Sequence, residues 1–188
     1  MDTDALSGGF ADAPVQAAHA FRAAMTAMAQ PGRIRQVAGA APPAPLSAAA
    51  GTLVLALCDA DTPVHLTGVH DTPMLRDWIT FHTGAPLCAA GACSFAIGVW
   101  DALRPLDRFA CGTSDYPDRG ATLIVETDRL EPAGATLQGP GIARQAALSL
   151  PETDVFRRNA ARFPLGLDFF FTCGDRLAAL PRSTKVTS

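Results

Sequence analysis

The stretch Asp168-Phe169-Phe170-Phe171-Thr172-Cys173-Gly174-Asp175-Arg176-Leu177-Ala178-Ala179-Leu180 decides the fold class. Its two apolar halves, Asp168 to Thr172 and Arg176 to Leu180, read as strands on either side of Gly174-Asp175. Glycine at the first of two central positions supplies the positive φ of a type II′ turn, so the segment is expected to close as an antiparallel hairpin. Upstream of it, helix and strand patterns alternate along the chain. The expected class is therefore α/β, a mixed β-sheet flanked by helices, antiparallel at least at its C-terminal end.

Working back from the hairpin, Pro151 to Arg162 reads as an amphipathic helix carrying Arg157, Arg158 and Arg162. Ser94 to Trp100 and Ala121 to Thr127 read as strands separated by a helical stretch and a Gly/Asp/Pro-rich loop. A short strand near Ala135 to Gln138 is expected to pair back across the turn at Asp128-Arg129. Asp71-Thr72-Pro73 has the cap and first-turn proline of a helix running to about Thr83. Val64-His65-Leu66 reads as a short strand, and Ser47 caps a helix ending near Cys58. A first helix from Pro14 to Ala29 stops at Pro31-Gly32, with Phe21, Met25 and Met28 on its apolar face and Arg22 at the edge of that stripe. Gly139-Pro140-Gly141 lacks the third glycine of a dinucleotide loop, which is Arg144, and reads as a tight turn.

The chain has 188 residues, 48% hydrophobic and 18% charged, enough for one sizeable core. A single domain over 1–188 is expected, with 1–12 a flexible N-terminus and 183–188 a tail. The acidic start Met1-Asp2-Thr3-Asp4 lacks the pattern of a secretory signal, so a cytoplasmic protein is expected. The longest apolar run, Leu46 to Cys58, is too short for a bilayer, and no membrane anchor is expected. A net charge of -3 with no basic run excludes a nucleic-acid binder on electrostatic grounds. The five cysteines contain no Cys-x-x-Cys pair and read as buried thiols. The His65 and His70 spacing signals no metal site. Fourteen arginines stand against the single Lys185, so any anion is expected to meet a guanidinium. A GC-rich coding sequence produces the same ratio without any function.

Asp59 and Asp61 fall where the second helix ends and a strand begins. Negative charge opposes the dipole there, which makes both carboxylates candidates for an arginine-paired network or a catalytic site. The alternative is a solvated loop with Asp61 shaping the turn. His82 lies on the apolar face of the third helix near its C-terminus, where an imidazolium is favoured. It reads either as a proton carrier or phosphate contact, or as a buried hydrogen-bonded histidine. Pro181-Arg182-Ser183-Thr184 sets a guanidinium beside two hydroxyls, a group able to hold a phosphate-like anion, or is an exposed terminus. With Arg22 these are the anion-binding candidates. No local pattern marks a nucleophile.

An ordered set of short patterns goes further. Phe21-Arg22, Met28-Ala29-Gln30-Pro31-Gly32, Asp59-Ala60-Asp61-Thr62-Pro63-Val64 and Phe81-His82-Thr83 with Ala85-Pro86-Leu87 come first. Gly120-Ala121-Thr122-Leu123, Gly139-Pro140-Gly141-Ile142, Phe163-Pro164-Leu165-Gly166-Leu167-Asp168, Thr172-Cys173-Gly174 and Pro181-Arg182-Ser183-Thr184 follow in order. Over about residues 10 to 185 the chain resembles the H subunit of the bacterial carbon-phosphorus lyase core complex, the PhnH family. The resemblance implies a fold similar to pyridoxal-phosphate-dependent transferases without the cofactor. A Schiff base needs a lysine on a rigid element, and Lys185 stands near the end of the chain, so no cofactor is expected.

The resemblance also implies a homodimer when isolated and partners among the other core subunits. That machinery forms ribose 1-alkylphosphonate 5-triphosphate from a purine nucleoside triphosphate and an alkylphosphonate. With no phosphate loop or metal motif in view, a required structural or accessory subunit, inactive alone, is expected. The alternative is a direct contribution, with Arg22, His82 and Arg182 converging on a phosphonate or triphosphate near Asp59 and Asp61.

Overall fold

A computed structural model describes residues 6–188, so the first part of the N-terminus expected to be flexible, 1–5, lies outside the described residues. In chain order the elements are α1 (Ala13–Ala29), β1 (Arg35–Gln36), α2 (Ala48–Leu57), β2 (Val64–Leu66), α3 (Pro73–Thr83), β3 (Phe95–Val99) and α4 (Trp100–Leu103). There follow β4 (Thr122–Glu126), β5 (Ala135–Gln138), β6 (Ala146–Leu148), α5 (Thr153–Ala160), β7 (Asp168–Cys173), β8 (Arg176–Leu180) and β9 (Lys185–Thr187).

The C-terminal hairpin forms as its sequence dictates. Cys173 pairs with Arg176 across β7 and β8, which leaves Gly174 and Asp175 as the whole turn. Gly174 has φ +62°, and among the described residues no other amino acid than glycine has positive φ, the pattern of a type II′ turn. Around this hairpin a sheet of six strands runs β1-β8-β7-β4-β3-β2. β2, β3, β4 and β7 are parallel, while β8 runs antiparallel to both its neighbours, β7 and β1. The sheet is mixed, and helices flank it.

Alternate residues of each central strand face opposite cores. Ile124, Phe170, Leu177 and Ala179 pack with α1, α2 and α3 on one face. Leu123, Val125, Phe169, Phe171 and Leu180 pack on the other with Trp100, Phe156, Leu137, Leu148 and Val186. Burial on both faces is why β4 and β7 read as near-continuous apolar runs. The second face is covered by α4, α5 and a small antiparallel sheet, β6-β5-β9.

Local signals hold at the helix ends. Ser47 Oγ accepts from Ala50 N at 3.1 Å and caps α2. Thr72 Oγ1 accepts from Leu75 N at 3.2 Å, Pro73 occupies the first turn, and Gly84 closes α3 in the left-handed conformation at φ +72°. Gly139-Pro140-Gly141 is a turn closed by Ile142 N to Gly139 O at 3.1 Å, with φ +79° at Gly141.

Four expectations need correction. The buried side of α1 is Ala20, Ala24 and Ala27, while Phe21 and Met25 are 51% and 52% exposed. Small side chains win that face because α1 packs closely on α2 and β8, where bulkier ones would hold the helix off. β5 does not pair back on β4, whose two edges are already taken by β3 and β7; it pairs with β6 and β9 instead. The segment 183–188, expected as a tail, contains β9, whose Val186 is buried opposite Leu137. Residues 6–12 are held as well: the carbonyl of Gly8 accepts from Ala41 N at 2.8 Å and Phe10 packs against the core. No helix among the described residues is long and apolar enough to cross a membrane.

Candidate functional site

Asp59 and Asp61 sit in an exposed turn between α2 and β2. Asp59 Oδ1 accepts from the Thr62 hydroxyl and from Asp61 N, and these bonds hold its carboxyl below the ordinary aspartate range. Asp59, not Asp61, therefore shapes the turn. Neither carboxylate has an arginine partner among the described residues, so the arginine network expected there is not formed.

His82 is half-buried on α3. Its Nε2 lies 3.2 Å from the carbonyl of Ser7, and its ring packs on Trp78 and Phe81 with centroids 5.0 and 4.9 Å apart. Trp78 Nε1 donates to the same carbonyl at 2.9 Å. The imidazole lines a small cleft with Leu6, Phe10 and Leu55 rather than facing the Asp59 turn. Arg22 is exposed on the outer side of α1, and its carbonyl accepts from Thr26 Oγ1.

Arg182 lies several strands across the sheet from the Asp59 turn. β2, which follows the Asp59 turn, and β7, which begins at Asp168, are separated by β3 and β4, about 14 Å at ordinary strand spacing. Arg182 is 8% exposed, and its guanidinium forks onto Asp168, with Nη2 to Oδ2 at 2.5 Å and Nε 3.1 and 3.2 Å from the two carboxylate oxygens. Nη1 donates to the Pro117 carbonyl. The charge is neutralised by Asp168, and each of the three guanidinium nitrogens donates inside the chain. Ser183 is half-buried and Thr184 is 1% exposed, so this is not an exposed terminus. Arg22, His82 and Arg182 are not brought together.

Two polar groups outside the sequence candidates, the half-buried Glu126 and the buried His70, lie near the C-terminal edge of the parallel strands. Glu126, the last residue of β4, accepts from Ser47 N at 2.7 Å and from Thr172 Oγ1 at 3.0 Å. Burial pushes its carboxyl above the ordinary range, and these hydrogen bonds offset part of that rise. His70 is 2% exposed, with neither ring nitrogen hydrogen-bonded among the described residues and the Pro45 carbonyl beside it. Burial lowers its affinity for a proton. The thiols of Cys58 and Cys93 are pushed up to about 12 by burial, which keeps both protonated and unreactive, and all five cysteines are free.

A cleft of about 680 Å³ opens between the 101–107 segment and α5, lined by Arg104, Leu106, Asp107, Val155, Arg158 and Arg162 among others. None of the residues singled out as site candidates lines it. The spacing of Arg158 and Arg162, four positions apart, was the available signal.

The sequence model of a family described as bacterial phosphonate metabolism protein (PhnH) matches residues 8–187. The chain belongs to the PhnH family. It is 40% identical over 189 residues to the alpha-D-ribose 1-methylphosphonate 5-triphosphate synthase subunit PhnH of Rhizobium meliloti (strain 1021), covering 96% of this chain and 94% of the relative. It is 30% identical over 195 residues to a Stutzerimonas stutzeri protein described provisionally as C-P lyase subunit HtxG, covering 95% and 94%.

The segments by which the chain resembled PhnH meet in space. A Cβ on Gly120 would stand 2.4 Å from the Gly166 carbonyl and 2.7 Å from Arg182 Nη1. One on Gly141 would strike the Ala29 carbonyl and touch Pro31, while Gly139 packs on Ser183 and Thr184. Gly84, at the end of α3, lies against Ala60 of the Asp59 turn. These PhnH patterns are accounted for by close backbone packing and by the Arg182–Asp168 pair.

Proposed function

We propose that this chain is a required, non-catalytic subunit of a carbon-phosphorus lyase assembly. In that role it helps form ribose 1-alkylphosphonate 5-triphosphate from a purine nucleoside triphosphate and an alkylphosphonate, in the cytoplasm. The observation that carries the reading is the near full-length match to two proteins whose names describe subunits. Two features of the chain support it. Arg182 and Asp59, candidates for chemistry, are committed to the fold. Phe21 and Met25 place apolar area on the outer side of α1, a surface suited to a partner subunit.

A homodimer when isolated belongs to the same proposal. So does kinship of the mixed sheet with pyridoxal-phosphate-dependent transferases in a cofactor-free form. Lys185 is exposed on the edge strand β9 and lines neither of the two clefts described above, which suits a chain that forms no Schiff base. The alternative, direct anion binding or proton transfer by Arg22, His82 and Arg182, is disfavoured by their separation.

Co-expression of the tagged chain with the other pathway proteins tests the proposal. Stoichiometric recovery of several of them is expected. Recovery of this chain alone, at low salt and without detergent, would sink it.

A further inference from the structure

We propose that the cleft between the 101–107 segment and α5 binds a sugar phosphate, with Arg158 and Arg162 taking the phosphate and Asp107 accepting from sugar hydroxyls. The site stands on this chain's own residues and does not depend on the family reading.

Charge pairing around the cleft is uneven. Arg104 is held by Asp101 at 2.7 Å and Glu152 at 3.6 Å, and Arg157, turned away from the cleft, is held by Asp154 at 3.0 Å. Arg158 and Arg162 have no side-chain hydrogen bond or ion pair among the described residues, and neither has Asp107. Two guanidiniums four residues apart around the end of α5 repel each other, a cost that a shared anion removes. They offer the forked donors that phosphate oxygens need. The C-terminal end of α5 contributes no favourable dipole to an anion, so the guanidiniums supply all the positive charge.

The rest of the lining narrows the class. Pro105, Leu106, Val155 and Leu167 give the cleft apolar walls against which the carbon face of a sugar can pack. An ionised carboxylate only accepts hydrogen bonds, so Asp107 selects a ligand that donates, as hydroxyls do, and disfavours a second anionic group near it. At about 680 Å³ the cleft is of the size that holds small molecules. The walls leave bare phosphate with half of the site unused.

Calorimetric titration of the full chain with ribose 5-phosphate, inorganic phosphate and ribose tests this. Ribose 5-phosphate is expected to bind saturably and more tightly than either fragment. Combined Arg158→Ala and Arg162→Ala substitution should weaken it at least tenfold, Arg157→Ala should leave it unchanged, and Asp107→Asn should weaken ribose 5-phosphate but not phosphate. Both arginines are exposed, so circular dichroism and melting of the double variant should match wild type. The charge-preserving double variant, Arg158→Lys with Arg162→Lys, should recover part of the affinity. Absence of saturable binding, binding indifferent to the double alanine substitution, or phosphate binding as tightly as ribose 5-phosphate would each overturn the proposal. Failure of the co-expression experiment above would leave this result unaffected.

Discussion

Arg182 and Asp168 form a two-point ion pair whose side chains are only 10% and 22% exposed, tying the segment after β8 to the start of β7. Asp168 also accepts from Arg182 N at 2.7 Å, so one carboxylate fixes both the backbone and the side chain of the residue that leads into β9. Arg182→Ala should leave a half-buried carboxylate without its cation and lower stability by about 2 kcal/mol, a large share of what a domain this size has to spare. Urea denaturation followed by fluorescence checks it. A loss under about 0.5 kcal/mol, the scale of ordinary surface substitutions, would show that Arg182 is free for another role.

Glu126 and His70 predict opposite pH dependences. The folded state holds the Glu126 proton more tightly than the unfolded chain, so its stabilisation is complete below the unfolded value of about 4.3 and is lost as pH rises through the raised folded value. Glu126→Gln should therefore gain on wild type between pH 4 and pH 7. His70 is held neutral by burial, so its contribution is complete above about 6.5 and is lost as pH falls through the lowered folded value. His70→Leu should flatten the decline of stability below pH 6.5. Denaturation midpoints across pH 4 to 8 read both, and variant profiles parallel to wild type would refute the assignments.

Phe21 and Met25 are about half exposed on the outer side of α1 and belong to neither core. Phe21→Asp with Met25→Asp should change stability by no more than about 0.5 kcal/mol each, since neither side chain supports the core. The same pair should reduce recovery of partner subunits in a pull-down severalfold. Unchanged recovery would move the contact surface elsewhere.

Gly174 sits at φ +62° in the hairpin turn. Gly174→Val should cost about 1 kcal/mol or more because a β-branched residue resists that conformation, although the position has open space around it. Thermal melting checks it, and an unchanged midpoint would mean that the turn changes type.

The hairpin, Val64–Leu66, α3 and the cap of α2 were legible because turn, proline and capping residues act locally and announce themselves in a few positions. The outward face of α1 was not, because alanine and phenylalanine are both apolar and only the close approach of α2 and β8 decides which is buried. β9 was hidden by its length and polarity: Lys185 and Thr187 face solvent, and only Val186 between them marks the strand. Among the site candidates, Arg182 is bound to Asp168 and Asp59 to Thr62 and Asp61 N, partners that are distant or local groups not marked by any spacing of like residues. Asp168 lies 14 positions from Arg182, and their pairing follows from the hairpin register.

The most direct measurement compares synthesis of the ribose 1-phosphonate 5-triphosphate by the purified assembly with and without this chain, alongside the chain alone. The account predicts product only when the chain joins its partners, none from the chain by itself, and retained activity for His82→Ala within about twofold, a change of roughly 0.4 kcal/mol in barrier. Full synthesis in its absence, or turnover by the isolated chain, would contradict it.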